Sequence, residues 1–383
     1  MVYLHRVLEA ALDQYLKAFP VVGVTGPRQS GKSTLLKQIL LNRYRYVTFD
    51  DEENILAFED DPKGFIRRHN NEVIFDEAQK VPKLFNAIKL AVDQDREKAG
   101  KFVLTGSSQF SLMTKITESL AGRIGLLNLL PFQYQEIPKD LQEDSIYKGS
   151  YPEIVKRHYV DSHIWYSAYL TTYLEKDVRQ ISQIGNIRDF SRFIRLLAAN
   201  TAQILNLSRF ANDLGVAVST IKNWISILEA SYVIFLLPPF YENYGKRIIK
   251  SPKIYFYDTG LVSYLTGISN KELFEKGPMA GALFENYIIS EVKKNIFHHN
   301  LNADIYYLRT NHGVEVDLVI DYFTTKEWVE IKFNESFKPS ILKPIKEFLS
   351  PKDKGSLIYC GMTRSYQENI MLYHYGDFLI KAL

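Results

Sequence analysis

Residues 26–33 read GPRQSGKS, and no other stretch constrains this 383-residue chain more. The spacing G-x-x-x-x-G-K-[ST] is that of a phosphate-binding loop. Its backbone N–H groups wrap phosphate oxygens, its lysine reaches the β/γ oxygens, and its serine hydroxyl ligates Mg²⁺. By typical residue frequencies the pattern arises by chance in roughly one chain of this length in a hundred. Here it also has the context the chemistry needs, with the apolar run VVGVT before it and the helical pattern STLLKQIL after it. The helix start contributes its positive dipole end, and Gly26 and Gly31 permit backbone angles and an approach that a side chain forbids. Gly26, Pro27, Arg28, Gln29, Ser30, Gly31, Lys32, Ser33 and Thr34 form the expected nucleotide cradle.

A second acidic site agrees with the first. EVIFDEAQ puts Asp76 and Glu77 at the end of an apolar run. Asp76 is placed to hold Mg²⁺ through water, beside the ligand Ser33, and Glu77 to polarise the attacking water. No N-K-x-D guanine signature is present, so ATP is expected over GTP. The run KFVLTGSS ends in Ser107, Ser108 and Gln109; Ser107 is a candidate γ-phosphate sensor, and a helix N-cap is the alternative. Arg123, in ESLAGRIG, is a candidate for stabilising the transition state in cis or from a neighbouring subunit, with a plain salt bridge as the alternative.

Short apolar runs at Val21–Thr25, Tyr46–Asp50, Val73–Asp76, Phe102–Thr105 and Ile124–Leu130 alternate with helical stretches, as a parallel sheet with crossover helices requires. The expected fold is α/β throughout most of the chain. A P-loop NTPase sheet occupies residues 1–142, a helical lid and winged-helix region 143–259, and a smaller α/β domain 260–383.

At this point the chain resembles AAA-type ATPases of the additional-strand, catalytic-glutamate class. GPRQSGKST, VIFDEAQ, VLTGSS and LAGRIGLLNLLPF, followed by GSYPEI, TYLEKDVRQI and YFYDTGL, are similar to a family of prokaryotic ATPases. Those proteins carry a C-terminal domain of unknown function related to restriction endonucleases. The motifs run in the family's order over nearly the whole chain.

The middle block carries LSRFANDLGVAVSTIKNWISILEASYVIFLL, the cadence of a helix-turn-helix. Ile221, Trp224, Ile225 and Leu228 fall on one face of its second helix, with Lys222 and Asn223 on the exposed side. The β-rich runs through Phe235 and Ile254–Tyr257 are the expected wing. From Ile187 to Tyr255 nine lysines and arginines stand against four acids, although the whole chain is only +3. That excess suits DNA as a partner, and a structural lid or protein contact is the other reading. Arg179 could face either the nucleotide or a domain interface.

In the third block VEVDLVID and WVEIKF each alternate faces, so antiparallel pairing would bring Asp317, Glu330 and Lys332 onto one sheet face. The preceding helix offers Glu285. An Asp followed thirteen residues on by Glu-x-Lys resembles the PD-(D/E)xK nucleases. The resemblance implies a restriction-endonuclease-like domain in which Asp317, Glu330 and Glu285 hold Mg²⁺ and Lys332 orients the attacking water. A polar sheet face laced with salt bridges is the plain alternative. A catalytically dead fold that binds DNA or protein under nucleotide control is the alternative function.

Composition excludes other classes. The single cysteine, Cys360, forms no internal disulfide and no zinc spacing exists, which suits a reducing, cytoplasmic setting. No run of 18 apolar residues occurs, so no membrane association is expected. His298–His299 read as a solvated helix-exit loop. A protein partner or self-association stays open.

Overall fold

The computed structural model describes residues 3–106, 119–173, 187–240 and 251–381. They divide into two compact units. The first comprises Met1–Phe132 with Ala230–Tyr232 and Phe297–Asn300; the second comprises Gln133–Glu229, Val233–Ile296 and Leu301–Leu383. The sequence blocks 143–259 and 260–383 thus lie mostly in one unit. Among the described residues no helix is long and apolar enough to cross a membrane.

The first unit is built on an all-parallel sheet of β1 (Val21–Thr25), β2 (Arg45–Thr48), β3 (Val73–Asp76), β4 (Phe102–Thr105) and β5 (Ile124–Asn128), in the order β2-β3-β4-β1-β5. All residues of β1 are buried, because helices cover both faces of a parallel sheet. Alternation sends Val21, Val73 and Phe75 into one apolar cluster and Val22, Val24 and Ile74 into the other. Strand β4 pairs with both β1 and β3 and so stands between the strand leading to the phosphate loop and the strand ending in Asp76. This is the additional strand that the resemblance implied.

In the second unit the helices Ile187–Ala199, Leu207–Leu214 and Val218–Ala230 follow one another, and Asn206 caps the second by accepting from the N–H of Arg209. Gly215, at φ 69°, ends that helix in the left-handed conformation. Ile221, Trp224, Ile225 and Leu228 are buried and Lys222 and Asn223 exposed, as the periodicity required. Strands β6 (Ile234–Leu237) and β7 (Lys253–Phe256) pair antiparallel. They are not a free wing: the chain leaving β6 bonds through Pro238 and Phe240 to the backbone of Tyr307.

Tyr307 belongs to a mixed sheet of β8 (Asp304–Arg309), β9 (Glu315–Asp321), β10 (Lys326–Ile331), β11 (Lys354–Tyr359), β12 (Arg364–Gln367) and β13 (Ile370–His374). Its order is β12-β13-β11-β10-β9-β8, antiparallel across β8, β9 and β10 and parallel from β10 through β11 to β13. Trp328 stacks on Phe348 and meets Phe240 edge-on in its core. The helix Ala280–His299 seats Phe284 against Phe333 and Tyr375.

The motifs GSYPEI and YFYDTGL meet at one buried node. Asp258 accepts from the Ser150 N–H at 2.7 Å, from Tyr166 Oη at 2.6 Å and from the Leu261 N–H at 2.9 Å, the last as a helix cap. A side chain at Gly149, which sits at φ 88°, would place its Cβ 2.1 Å from Tyr166 Oη.

Candidate functional site

The phosphate loop leaves β1 and closes on the helix Lys32–Leu40. Gly26 holds φ 143°, and a Cβ there would lie 2.1 Å from the carbonyl oxygen of Leu129, so only glycine fits. Gly31, at φ 94°, turns the chain into the helix. Pro27 and Ser30 are buried, Arg28 is half-buried, and Gln29 and Thr34 face outward. Lys32 is buried and donates to the carbonyls of Gly26 at 3.0 Å and Pro27 at 2.8 Å, so its ammonium spans the loop it serves.

Ser33 Oγ donates to Asp76 Oδ2 at 2.9 Å, and Tyr46 Oη donates to the same oxygen. The other oxygen, Oδ1, is buried with no hydrogen-bond partner among the described residues. A hydroxyl and an unsatisfied carboxylate oxygen side by side are the hard ligands Mg²⁺ prefers, so these residues fit the ion. Glu77 follows β3 in the left-handed region at φ 53° and accepts from the Gln79 amide. Burial pushes its carboxyl above the usual range; the Gln79 bond and Lys32 pull back, and the charge of Asp76 adds to the rise. A non-glycine residue held at positive φ costs of order 1–3 kcal/mol and persists only where its surroundings impose it.

Sequence reasoning missed the supports of this loop. Arg6 is buried and donates to the carbonyls of Ser30 at 2.8 Å and Leu130 at 2.7 Å, with its guanidinium over the Phe132 ring. Beneath Gly26, Thr25 Oγ1, Asn128 Oδ1 and Tyr232 Oη lie within 2.5–2.9 Å of one another. These partners lie up to 207 positions apart, and no local pattern announces them.

Arg123 is not brought to the loop. It precedes β5, whose register sets Ile124 beside Val21 at the start of β1, while the loop leaves the other end. Five residues of strand, about 16 Å, separate the two. Arg123 instead grips Asp93 through Nε at 2.7 Å and Nη2 at 3.1 Å, which is the salt bridge considered above and leaves no contact in cis. Ser107, with Ser108 and Gln109, and Arg179 lie outside the described residues.

In the second unit Lys332 Nζ stands 3.0 Å from Asp317 Oδ2 and 2.8 Å from Glu330 Oε1. The antiparallel register of β9 and β10, Val329 beside Leu318, continues one step to set Glu330 opposite Asp317. Asp317 also accepts from the Ile331 N–H at 2.8 Å. Glu330 is buried, its Oε2 has no partner among the described residues, and burial with the adjacent Asp317 pushes its carboxyl up to about 8.

Glu285 is placed differently from the sequence expectation. Its Oε1 takes Lys253 Nζ at 3.0 Å and Tyr255 Oη at 2.6 Å. Among the described residues no three His, Cys, Asp or Glu side chains gather as a ready metal site; the charge of Glu285 still bears on Glu330, but its Oε1 is engaged by Lys253 and Tyr255. Lys253, on β7, was invisible to a reading that assigned β7 to the wing. Burial opposes its charge, but Glu285, Asp317 and Glu315 outweigh that and hold the ammonium above the usual lysine range. Arg309 pairs with Glu315 at 3.2 Å, and Tyr307 donates to the Ser251 carbonyl. His298 is no solvated loop residue: it is fully buried in the last turn of its helix, and its Nε2 accepts the Leu130 N–H at 3.0 Å.

A parallel sheet with β4 inserted between β1 and β3, a phosphate loop leaving β1 and an Asp-Glu pair two strands away at the end of β3 defines an AAA-type P-loop ATPase module, and residues 18–138 match the family model described as AAA domain. Residues 139–272 and 280–377 match two domains of unknown function, DUF8612 and DUF4143. The chain is 31% identical over 346 residues to the uncharacterized protein Rv2008c of Mycobacterium tuberculosis, covering 90% of this chain and 77% of that one, and it belongs to the same family. The uncharacterized protein MJ1544 of Methanocaldococcus jannaschii is 24% identical over 84% of this chain and 76% of its own. The solved Walker-type ATPase of Pyrococcus abyssi is 16% identical, with a TM-score of 0.46 over 67% of this chain and 94% of that one.

Proposed function

We propose that this protein hydrolyses ATP in its first unit and that the nucleotide state controls a nuclease-like, DNA-acting site in the second. The observation that carries the second half is the meeting of Asp317, Glu330 and Lys332 on neighbouring strands, with Lys332 Nζ within 3.0 Å of both carboxylates.

In the first unit Lys32 exchanges the carbonyls of Gly26 and Pro27 for β/γ-phosphate oxygens. Ser33 and Asp76 are the residues that would hold Mg²⁺, which when bound neutralises charge on the phosphates. Glu77 orients the attacking water and takes its proton. Its raised affinity for protons makes it a stronger base than an exposed carboxylate. Gln79, bonded to that carboxylate, sets its direction.

In the second unit Asp317 and Glu330 are the residues that would hold Mg²⁺, which when bound neutralises the scissile phosphate and acidifies a bound water. Two carboxylates suffice, because Mg²⁺ keeps several of its own waters. Lys332 orients the nucleophile and balances developing charge. The basic stretch Ile187–Tyr255 and the exposed Lys222 and Asn223 supply contacts to a DNA backbone.

A second reading, a nucleotide-dependent binding protein with an inactive nuclease fold, draws support from the engagement of Glu285 by Lys253. Cleavage assays separate the two. Mg²⁺-dependent nicking abolished by Asp317→Ala supports the first reading. Tight ATP-modulated DNA or protein binding without nicking on any substrate supports the second.

A further inference from the structure

We propose that Lys253 fills, with its own ammonium group, the place of a second cation in the carboxylate cluster, so that the cluster takes one divalent metal ion, between Asp317 and Glu330. This rests on the reading of those two residues as metal ligands.

Four carboxylates crowd this part of the second unit: Glu285, Glu315, Asp317 and Glu330. Lys253 is 2% exposed, and its Nζ lies 3.0 Å from Glu285 Oε1 and 2.6 Å from Glu315 Oε1. Tyr255 Oη, 2.6 Å away, satisfies Glu285 further. Arg309 takes the other oxygen of Glu315 from the half-exposed rim. The ammonium therefore sits where a bridging metal between Glu285 and Glu315 would sit, and it makes the same electrostatic connection.

The placement is built into the fold. Lys253 opens β7, pairs with Leu237 on one side and bridges Ile204 on the other. Three residues on, Phe256 exchanges two 2.8 Å hydrogen bonds with the side chain of Asn286, the neighbour of Glu285. Strand and helix are thus locked in the register that presents Lys253 to Glu285.

Charge limits what else can enter. Lys253 and Arg309 match Glu285 and Glu315, and the half-exposed Lys332 alone faces Asp317 and Glu330, so the one unmatched negative charge lies at the pair where a divalent ion would sit. Glu330 Oε2 is buried without a partner among the described residues, on a carboxylate whose other oxygen pairs with Lys332. Removing a buried cation from such a group leaves carboxylates uncompensated, a condition that a metal ion relieves.

The test counts Mn²⁺ ions bound per full-length, nucleotide-free chain by electron paramagnetic resonance. All variants carry Asp76→Asn, which removes the candidate ligand of the first unit. The parent is expected to bind one ion, lost on Asp317→Ala. Lys253→Met is expected to bind two, the second lost when Glu285→Gln is added. One ion in a folded Lys253→Met chain, with folding checked by circular dichroism, would overturn the inference and leave the metal reading intact. A parent that binds none would overturn both. Glu285→Gln alone decides the matter if Lys253→Met does not fold: retention of the single ion supports the inference, and its loss makes Glu285 a ligand and overturns it.

Discussion

Ser33 Oγ donates to Asp76 Oδ2 at 2.9 Å across 43 residues of sequence, joining the phosphate loop to the end of β3. The contact is possible because β1, β4 and β3 run parallel, so the phosphate loop and Asp76 leave the same rim of the sheet. It places the candidate Mg²⁺ ligands side by side and leaves Glu77 one residue further, on a turn of strained backbone.

Glu77→Gln separates binding from chemistry. The variant keeps the loop, Ser33 and Asp76 and loses only the base, so ATP binding should persist while hydrolysis falls by about 10²–10⁴-fold. Lys32→Ala should lose both. Fluorescent-nucleotide binding and phosphate release, measured together, check the pair. Unchanged hydrolysis in Glu77→Gln would remove Glu77 from the reaction.

Arg6→Ala tests the support of the loop. It leaves the buried carbonyls of Ser30 and Leu130 without their charged donor. A hydrogen bond to a charged group contributes roughly 1.5–3 kcal/mol, so denaturant unfolding of the first unit should shift by about that much. ATP should bind more weakly as well. Stability and affinity equal to the parent's would show that Arg6 does not hold the loop.

Arg123 gives a result that distinguishes one chain from an assembly. Paired with Asp93 at the far rim of the sheet, it should leave hydrolysis nearly unchanged when replaced by alanine at concentrations where the protein is monomeric. A concentration-dependent collapse of hydrolysis in Arg123→Ala would instead show that it serves a neighbouring chain's nucleotide.

Cys360, the one cysteine, offers a pH test. Burial, aided by the charge of Glu335, pushes its thiol up to about 11. The thiolate fraction, and with it the alkylation rate, should therefore still rise by about tenfold per pH unit between pH 8 and 10. An ordinary exposed thiol levels off in that range. Iodoacetamide labelling followed by mass spectrometry reads the slope.

Much of the first unit was legible because its signals are local. A strand, a glycine loop and a helix occupy consecutive residues, so their period and composition declare them. Asp317, Glu330 and Lys332 were legible for a related reason: strand alternation fixes which side chains share a face, and a short turn limits the register. Lys253 was not, because its partners Glu285 and Glu315 lie on other elements and the β-rich run that carries it also fits a wing. His298 illustrates a boundary error. With the helix ended at Asn295 it falls in a loop, whereas continuing the period places it with buried Glu291 and Asn295 on one face.

Gly149→Ala should destabilise the second unit, since it sets a Cβ 2.1 Å from Tyr166 Oη at φ 88° and disturbs the node around Asp258. Strain of this kind costs of order 1–3 kcal/mol. A thermal melt lowered by several degrees is expected, and an unchanged melt would show that the node yields without cost.

The central claim is that a nucleotide-driven first unit governs a metal-dependent site on DNA. The most direct test incubates supercoiled, linear, single-stranded and branched DNA with the full chain and Mg²⁺ or Mn²⁺, with and without ATP, beside Asp317→Ala and Lys32→Ala. Cleavage that disappears in Asp317→Ala and loses its response to ATP in Lys32→Ala is the expected result. ATP hydrolysis with no cut in any DNA, or cutting that survives Asp317→Ala, would contradict it.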